Sequence, residues 1–197
     1  MAVSPWWNFP PLDRFRRGTV DEPAMRIELG ECCIRSFAAA DVESIVKYAN
    51  DRRVSLNLRD RFPYPYMRAH ALEFLDAALT QQPETDFAVA TRDEVIGGIG
   101  FHRQADVYRL SAEIGYWIGQ PFWGRGIATA AVRALTEWAF ATTPLVRLYA
   151  HVFAWNDASA RVLEKAGYTL EGRMRSSVIK EGQLIDQLMY AIVRERP

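Results

Sequence analysis

Between residues 25 and 194 the apolar positions switch repeatedly between alternation and helical spacing, and this switching sets the expected elements. Residues 25–37 read as strand with a turn at Gly30-Glu31. Val42, Ile45, Val46 and Ala49 then fall at i, i+3, i+4 and i+7, the stripe of an amphipathic helix begun by Asp41. Residues 59–66 (RDRFPYPY) form a loop, because the residues before Pro63 and Pro65 avoid helical geometry. A second helix is expected to bury Ala71, Phe74, Leu75, Ala78 and Leu79. Residues 86–91 and 95–101 are strands joined by the Arg92-Asp93-Glu94 turn, and residues 111–118 form the next strand.

A third long apolar stripe follows, on Ala128, Ala131, Val132, Leu135 and Ala139, and then a strand over 148–153. Asn156-Asp157 caps a short helix with Ser159, Val162, Leu163 and Ala166 on one face and Arg161, Glu164 and Lys165 on the other. Gly167 ends it as the residue just past the C-terminus. Residues 168–173 and 184–194 close the sheet around a Lys180-Glu181-Gly182 turn. Early hairpins followed by β-α-β units predict an α/β (α+β) fold in a single domain over 25–197. Its central sheet is mixed, with about six to seven strands flanked by about four helices. Residues 1–24 read as an arm that mixes prolines with Trp6, Trp7, Phe9 and Phe15. Such aromatics pack on their own domain or on a second subunit, giving a homodimer; disorder is the alternative.

Composition narrows the function. Hydrophobic residues make up 49% and charged residues 24%, as in a globular domain. Lys plus Arg equals Asp plus Glu at 24 each, so no net field draws the chain to nucleic acid or to an anionic membrane. No apolar run reaches the length of a membrane span, and the N-terminal residues lack a signal-peptide core. Cys32 and Cys33 are adjacent and read as buried thiols, which fits a reducing cytoplasm. His70, His102 and His151 show no metal-ligand spacing, so no metal is expected and each reads as structural.

The chemistry concentrates in Gln120-Pro121-Phe122-Trp123-Gly124-Arg125-Gly126-Ile127-Ala128, between the 111–118 strand and the helix after it. Two glycines there strip side chains from a strand-to-helix turn. Its backbone N–H groups can then close around an anion, aided by the helix dipole. Glycine also serves a tight turn for steric reasons alone. A nucleotide P-loop would need Lys-Ser/Thr after the second glycine, where Ile127-Ala128 stands. A dinucleotide fingerprint would need three glycines after the first strand. Coenzyme A is the third ligand class that glycine loops hold.

The segment from Trp123 to Ala128 resembles the pyrophosphate loop of GNAT-type N-acetyltransferases. The surrounding order is similar too: Ala112-Glu113-Ile114-Gly115-Tyr116-Trp117 before it, then Asn156-Asp157-Ala158-Ser159, then Leu163-Glu164-Lys165-Ala166-Gly167-Tyr168 and Glu171-Gly172. The set is most similar to the RimJ/RimL-like branch, which acetylates protein N-terminal amines. The resemblance covers about residues 25–195. It implies that the strands 111–118 and 148–153 are parallel and splay apart at the cofactor site. It implies that acetyl-coenzyme A is the co-substrate, its phosphates on Trp123, Gly124, Arg125, Gly126, Ile127 and Ala128. Its pantetheine arm would lie along Tyr116, Trp117 and Ile118, and a strand N–H near Ile118 would polarise the thioester carbonyl. Asn156 and Ser159 map to the family's contacts with pantetheine and the thiol end, a role compatible with a helix cap.

Attack on the thioester requires a neutral amine. About a tenth of an α-amine is neutral at pH 7, against about four parts in ten thousand of a lysine amine. An α-amine acceptor therefore demands less of a base, and Glu113 is the candidate; an ion-paired strand residue is the other reading of it. The chain departs from the family at three places, the first being Trp123, where many members carry Gln or Arg and the RimJ/RimL-like branch tolerates an aromatic. Leu163 stands where relatives carry a tyrosine acid, which leaves Ser159 or water to protonate the thiolate, and Val178 stands where the branch can carry a base glutamate. Residues 62–66 and 173–180 are expected to flank the acceptor slot. The acceptor reads as a peptide N-terminus, with a small amine (polyamine, aminoglycoside or amino acid) or a non-catalytic acyl-coenzyme A-binding module as alternatives.

Overall fold

The computed structural model describes residues 25–194; the arm expected over 1–24 lies outside them. The first strand region is a hairpin, β1 (Arg26–Glu28) and β2 (Cys33–Arg35). Three helices follow: α1 (Val42–Ala49), α2 (Arg52–Ser55) and α3 (Arg68–Thr80). Then come β3 (Asp86–Ala90), β4 (Val95–Arg103) and β5 (Ser111–Ile118). α4 (Ile127–Thr142) leads to β6 (Arg147–Phe153), and α5 (Asp157–Lys165) to β7 (Thr169–Lys180) and β8 (Gln183–Val193). The strands form one sheet in the order β1-β2-β3-β4-β5-β6-β8-β7. Its neighbours are antiparallel except β5 and β6, which run parallel.

The sheet is mixed, as predicted, but has eight strands rather than six or seven. The turn at Gly30 (φ +90°) divides the first strand into two that pair. β7 also runs on to Lys180 instead of stopping at 173. Its register with β8 breaks between Met174 and Val178, where Ser176 takes φ +48°, and pairing then resumes. α2 is a fifth helix. Four residues are too few to show a period, and it is marked only by Asp51, which caps it by accepting the Arg53 N–H at 2.8 Å. Leu79 is 47% exposed rather than buried. Ala71, Leu75 and Ala78 are the buried stripe of α3, and at 100° per residue Leu79 lies about 70° around from it.

Alternation along the strands divides the core in two. Ile34, Phe87, Val89, Ile99, Phe101, Ile114, Leu148 and Val152 pack with α4 and α5 on one face. Cys33, Phe37, Ala88, Ala90 and Val95 pack with α1 and α3 on the other. Neighbouring residues on β2 and β3 thus serve opposite cores, as a sheet covered on both faces requires. Leu135 of α4 is fully buried in the first core. Leu135→Ala is expected to cost about 3 kcal/mol, read from the shift in a urea unfolding midpoint.

Candidate active site

β5 and β6 pair at Ser111↔Arg147, Ala112↔Leu148 and Glu113↔Tyr149, and no further. Beyond Glu113 the two parallel strands diverge, as the sequence implied. The direction of the β5 main chain follows from its flanking bonds. The Gly119 N–H donates to Ile96 O at 2.8 Å and the Gln104 N–H to Ser111 O at 3.0 Å, both on the β4 side. Leu110 O accepts from the Val146 N–H at 2.9 Å on the β6 side. Alternation therefore turns the amides of Tyr116 and Ile118 into the gap. The Ile118 carbonyl is capped by the Trp123 indole N–H at 2.6 Å, which anchors the glycine loop to the end of the strand.

In that loop Gly124 and Gly126 sit at φ +75° and +79°, and Gly126 is the N-cap of α4. A Cβ built on either would meet nothing within 4 Å. Packing therefore does not demand glycine here; the left-handed backbone does, and it leaves the loop and the helix N-terminus facing open space. A cavity of about 1050 Å³ extends from this loop through the strand gap to the α1–α3 face of the sheet. Every predicted site residue lines it except Arg125, whose guanidinium turns away to Glu31 and lies 5.8 Å from the Phe122 ring.

Beside the gap on the α5 side, the Asn156 side chain accepts the Ser159 N–H at 3.1 Å, the cap that the sequence predicted. The Ser159 hydroxyl bonds the Tyr116 hydroxyl at 2.8 Å. Burial pushes the Tyr116 phenol up to about 12, against the opposing pull of Ser159, so it stays protonated at neutral pH. This side-chain pair is not visible in the sequence, where Tyr116 was assigned through its main chain.

On the opposite face Glu113 receives two hydrogen bonds, one from Arg59 and one with His151 Nδ1 at 3.2 Å. Burial raises the carboxyl, but the His151 and Arg59 bonds outweigh it and hold it at about 2. Both readings of Glu113 thus meet in one place: it is ion-paired, and it lies beside the gap where the strands separate. His151 was read as structural, yet it lines the cavity. Its signal was available in the pattern. Leu148, Ala150 and Val152 are the buried alternation of β6, which places His151 on the other face, opposite the end of β5 pairing. Of residues 62–66, Phe62, Pro63 and Tyr66 line the cavity while Tyr64 and Pro65 do not, and no residue of 173–180 does. Among the described residues no cluster of His, Cys, Asp or Glu could hold a metal.

Residues 32–169 match the family model described as an acetyltransferase (GNAT) domain. The chain belongs to the GNAT acetyltransferases. This GNAT chain is an N-acetyltransferase, and its relatives are named as such. The uncharacterized N-acetyltransferase YoaA of Bacillus subtilis is 37% identical over 123 residues, 61% of this chain and 69% of that protein. The ribosomal-protein-serine acetyltransferase of Escherichia coli is 30% identical over 105 residues, 53% of this chain and 58% of that one. Such relatives agree with the RimJ/RimL-like branch. A structure of RimL, a ribosomal L7/L12 alpha-N-protein acetyltransferase, in complex with coenzyme A superposes with a TM-score of 0.77 at 21% identity. It covers 86% of this chain and 98% of that one, and the likeness shows the shared fold.

Proposed function

We propose that this N-acetyltransferase transfers the acetyl group of acetyl-coenzyme A to the α-amine of a protein or peptide N-terminus. One observation carries the reading. The strand gap joins an open glycine loop at a helix N-terminus to the Glu113–His151 pair within one cavity. The residues fit the co-substrate: two left-handed glycines in open space at a helix N-terminus suit a diphosphate, and the β5 amides turned into the gap suit an extended arm. The thioester supplies an activated acetyl group, and the chain's own residues manage the protons. His151 takes the proton of the attacking amine, because imidazole is a base suited to neutral pH. Glu113, held ionised, orients the imidazole and stabilises its cation. Ser159, backed by the Tyr116 hydroxyl, returns a proton to the departing sulfur. An Ile118 amide in the gap is the donor for the carbonyl oxygen.

The test incubates the protein and acetyl-coenzyme A with two peptides, one with a free N-terminus and one blocked there but bearing lysine. Thiol release and fragment masses locate the acetyl group. The expected product carries it on the α-nitrogen; acetylation confined to lysine would contradict the reading.

A further inference from the structure

Glycines form part of the floor on the acceptor side of the cavity, with the Asp86 side chain standing against Gly100. Gly98 and Gly100 of β4 pair with Trp117 and Gly115 of β5. A Cβ at Gly115 would meet nothing within 4 Å, so the cavity stands directly over it. Two residues away in one direction on the same strand face is Glu113, and two residues away in the other is Trp117. At about 3.3 Å per residue the two lie about 13 Å apart along the strand, with open space between.

The Trp117 end is aromatic. Its ring packs edge-on to Phe62 at 5.6 Å, Phe62 lies 4.8 Å from Tyr66, and Phe37 meets Phe74 at 5.1 Å. Gly98 lies between Phe37 and Trp117: a Cβ there would come within 2.8 Å of the Trp117 indole nitrogen and 3.6 Å of the Phe37 ring edge. All five rings line the cavity. Toward the other end Arg61 bonds His102 at 3.1 Å and Arg59 bonds Glu113, and the carboxylates of Asp86 and Glu73 also line the cavity. Carboxylates and guanidinium groups both line the cavity, so it is the wall of rings, not net charge, that disfavours a second ammonium there. A neutral apolar group would cover the partly exposed Phe62, Phe74 and Trp117, beside the already buried Phe37 and Tyr66.

Resting on the α-amine reading above, we propose that the slot of Phe37, Phe62, Tyr66, Phe74 and Trp117 receives the side chain of the acceptor's first residue. The acceptors it selects are N-termini that begin with a large apolar or aromatic residue. The α-carbon then lies over Gly115, the amine reaches His151, and the side chain reaches Trp117.

The experiment measures kcat/KM for peptides that differ only in the first residue: Phe, Leu, Gly, Ser and Lys. Phe and Leu are expected to exceed Gly by about 30-fold, the effect of burying one such side chain. Phe74→Ser is expected to remove most of that preference, with circular dichroism and a retained coenzyme A affinity showing that the variant is folded. Equal rates for Phe and Gly, or a preference for Lys, would overturn the slot and leave α-amine acetylation standing. Should no peptide be acetylated, the α-amine reading falls. The slot is then decided by equilibrium binding of 2-phenylethylamine and spermidine to the protein with coenzyme A: tighter spermidine would overturn it, tighter phenylethylamine would support it.

Discussion

Gly126→Val is expected to lower acetyl-coenzyme A affinity by at least about 100-fold while leaving the fold intact. Gly126 holds φ +79° at the first turn of α4, and a β-branched residue in that region costs about 1–2 kcal/mol per position. The larger effect is on the ligand. The space over Gly126 is open in the protein, so a valine meets no protein atom there but occupies the place where a phosphate would approach the amides. A strained loop that relaxes toward ordinary φ would also turn its N–H groups away. Urea unfolding and titration calorimetry together separate the two consequences, since the strain appears in the unfolding midpoint and the occlusion in the binding constant. A variant with near-normal affinity would mean that the phosphates are held elsewhere.

His151→Ala is expected to lower kcat by about 100- to 1000-fold with acetyl-coenzyme A binding unchanged, the range for loss of a positioned base. Raising the pH from 7 to 9 should recover about tenfold of that, because the neutral fraction of an α-amine grows by about that factor without help from the protein. Glu113→Gln should lose similar activity, since an amide no longer stabilises an imidazolium. It also tests the electrostatics. The Glu113 carboxyl is depressed from its ordinary 4.5 to about 2, so it stabilises the fold above pH 4.5 and loses that contribution as the pH falls toward 2. The wild type should therefore exceed Glu113→Gln in stability by about 2 kcal/mol at pH 7, a figure reduced because Arg59 is half exposed. The two should converge near pH 2. A constant gap at all pH values would show that packing, not charge, distinguishes them.

The glycine loop and its surroundings were legible in the sequence because they depend on local signals. Glycines at 124 and 126, the Asn156 cap and the helix stripe of α4 are each written within a few residues. The Glu113–His151 side of the cavity was not, because sheet register and loop return assemble it. Arg59 reaches Glu113 across 54 residues, and His151 across 38. Neither distance leaves a motif. Alternation along β6 gives the face of His151, but only the parallel pairing with β5 places it beside Glu113. The Tyr116–Ser159 bond likewise needs α5 docked against the gap. The count of strands and helices failed for smaller reasons: a three-residue strand and a four-residue helix are too short to repeat the periods that would reveal them.

The account turns on where the co-substrate lies, and a crystal structure with acetyl-coenzyme A decides it. The predicted map shows the diphosphate within hydrogen-bonding distance of the amides between Trp123 and Ala128, with the acetyl group in the gap between β5 and β6, facing His151. Density for the coenzyme on another surface, or a glycine turn with no phosphate against it, would contradict the account.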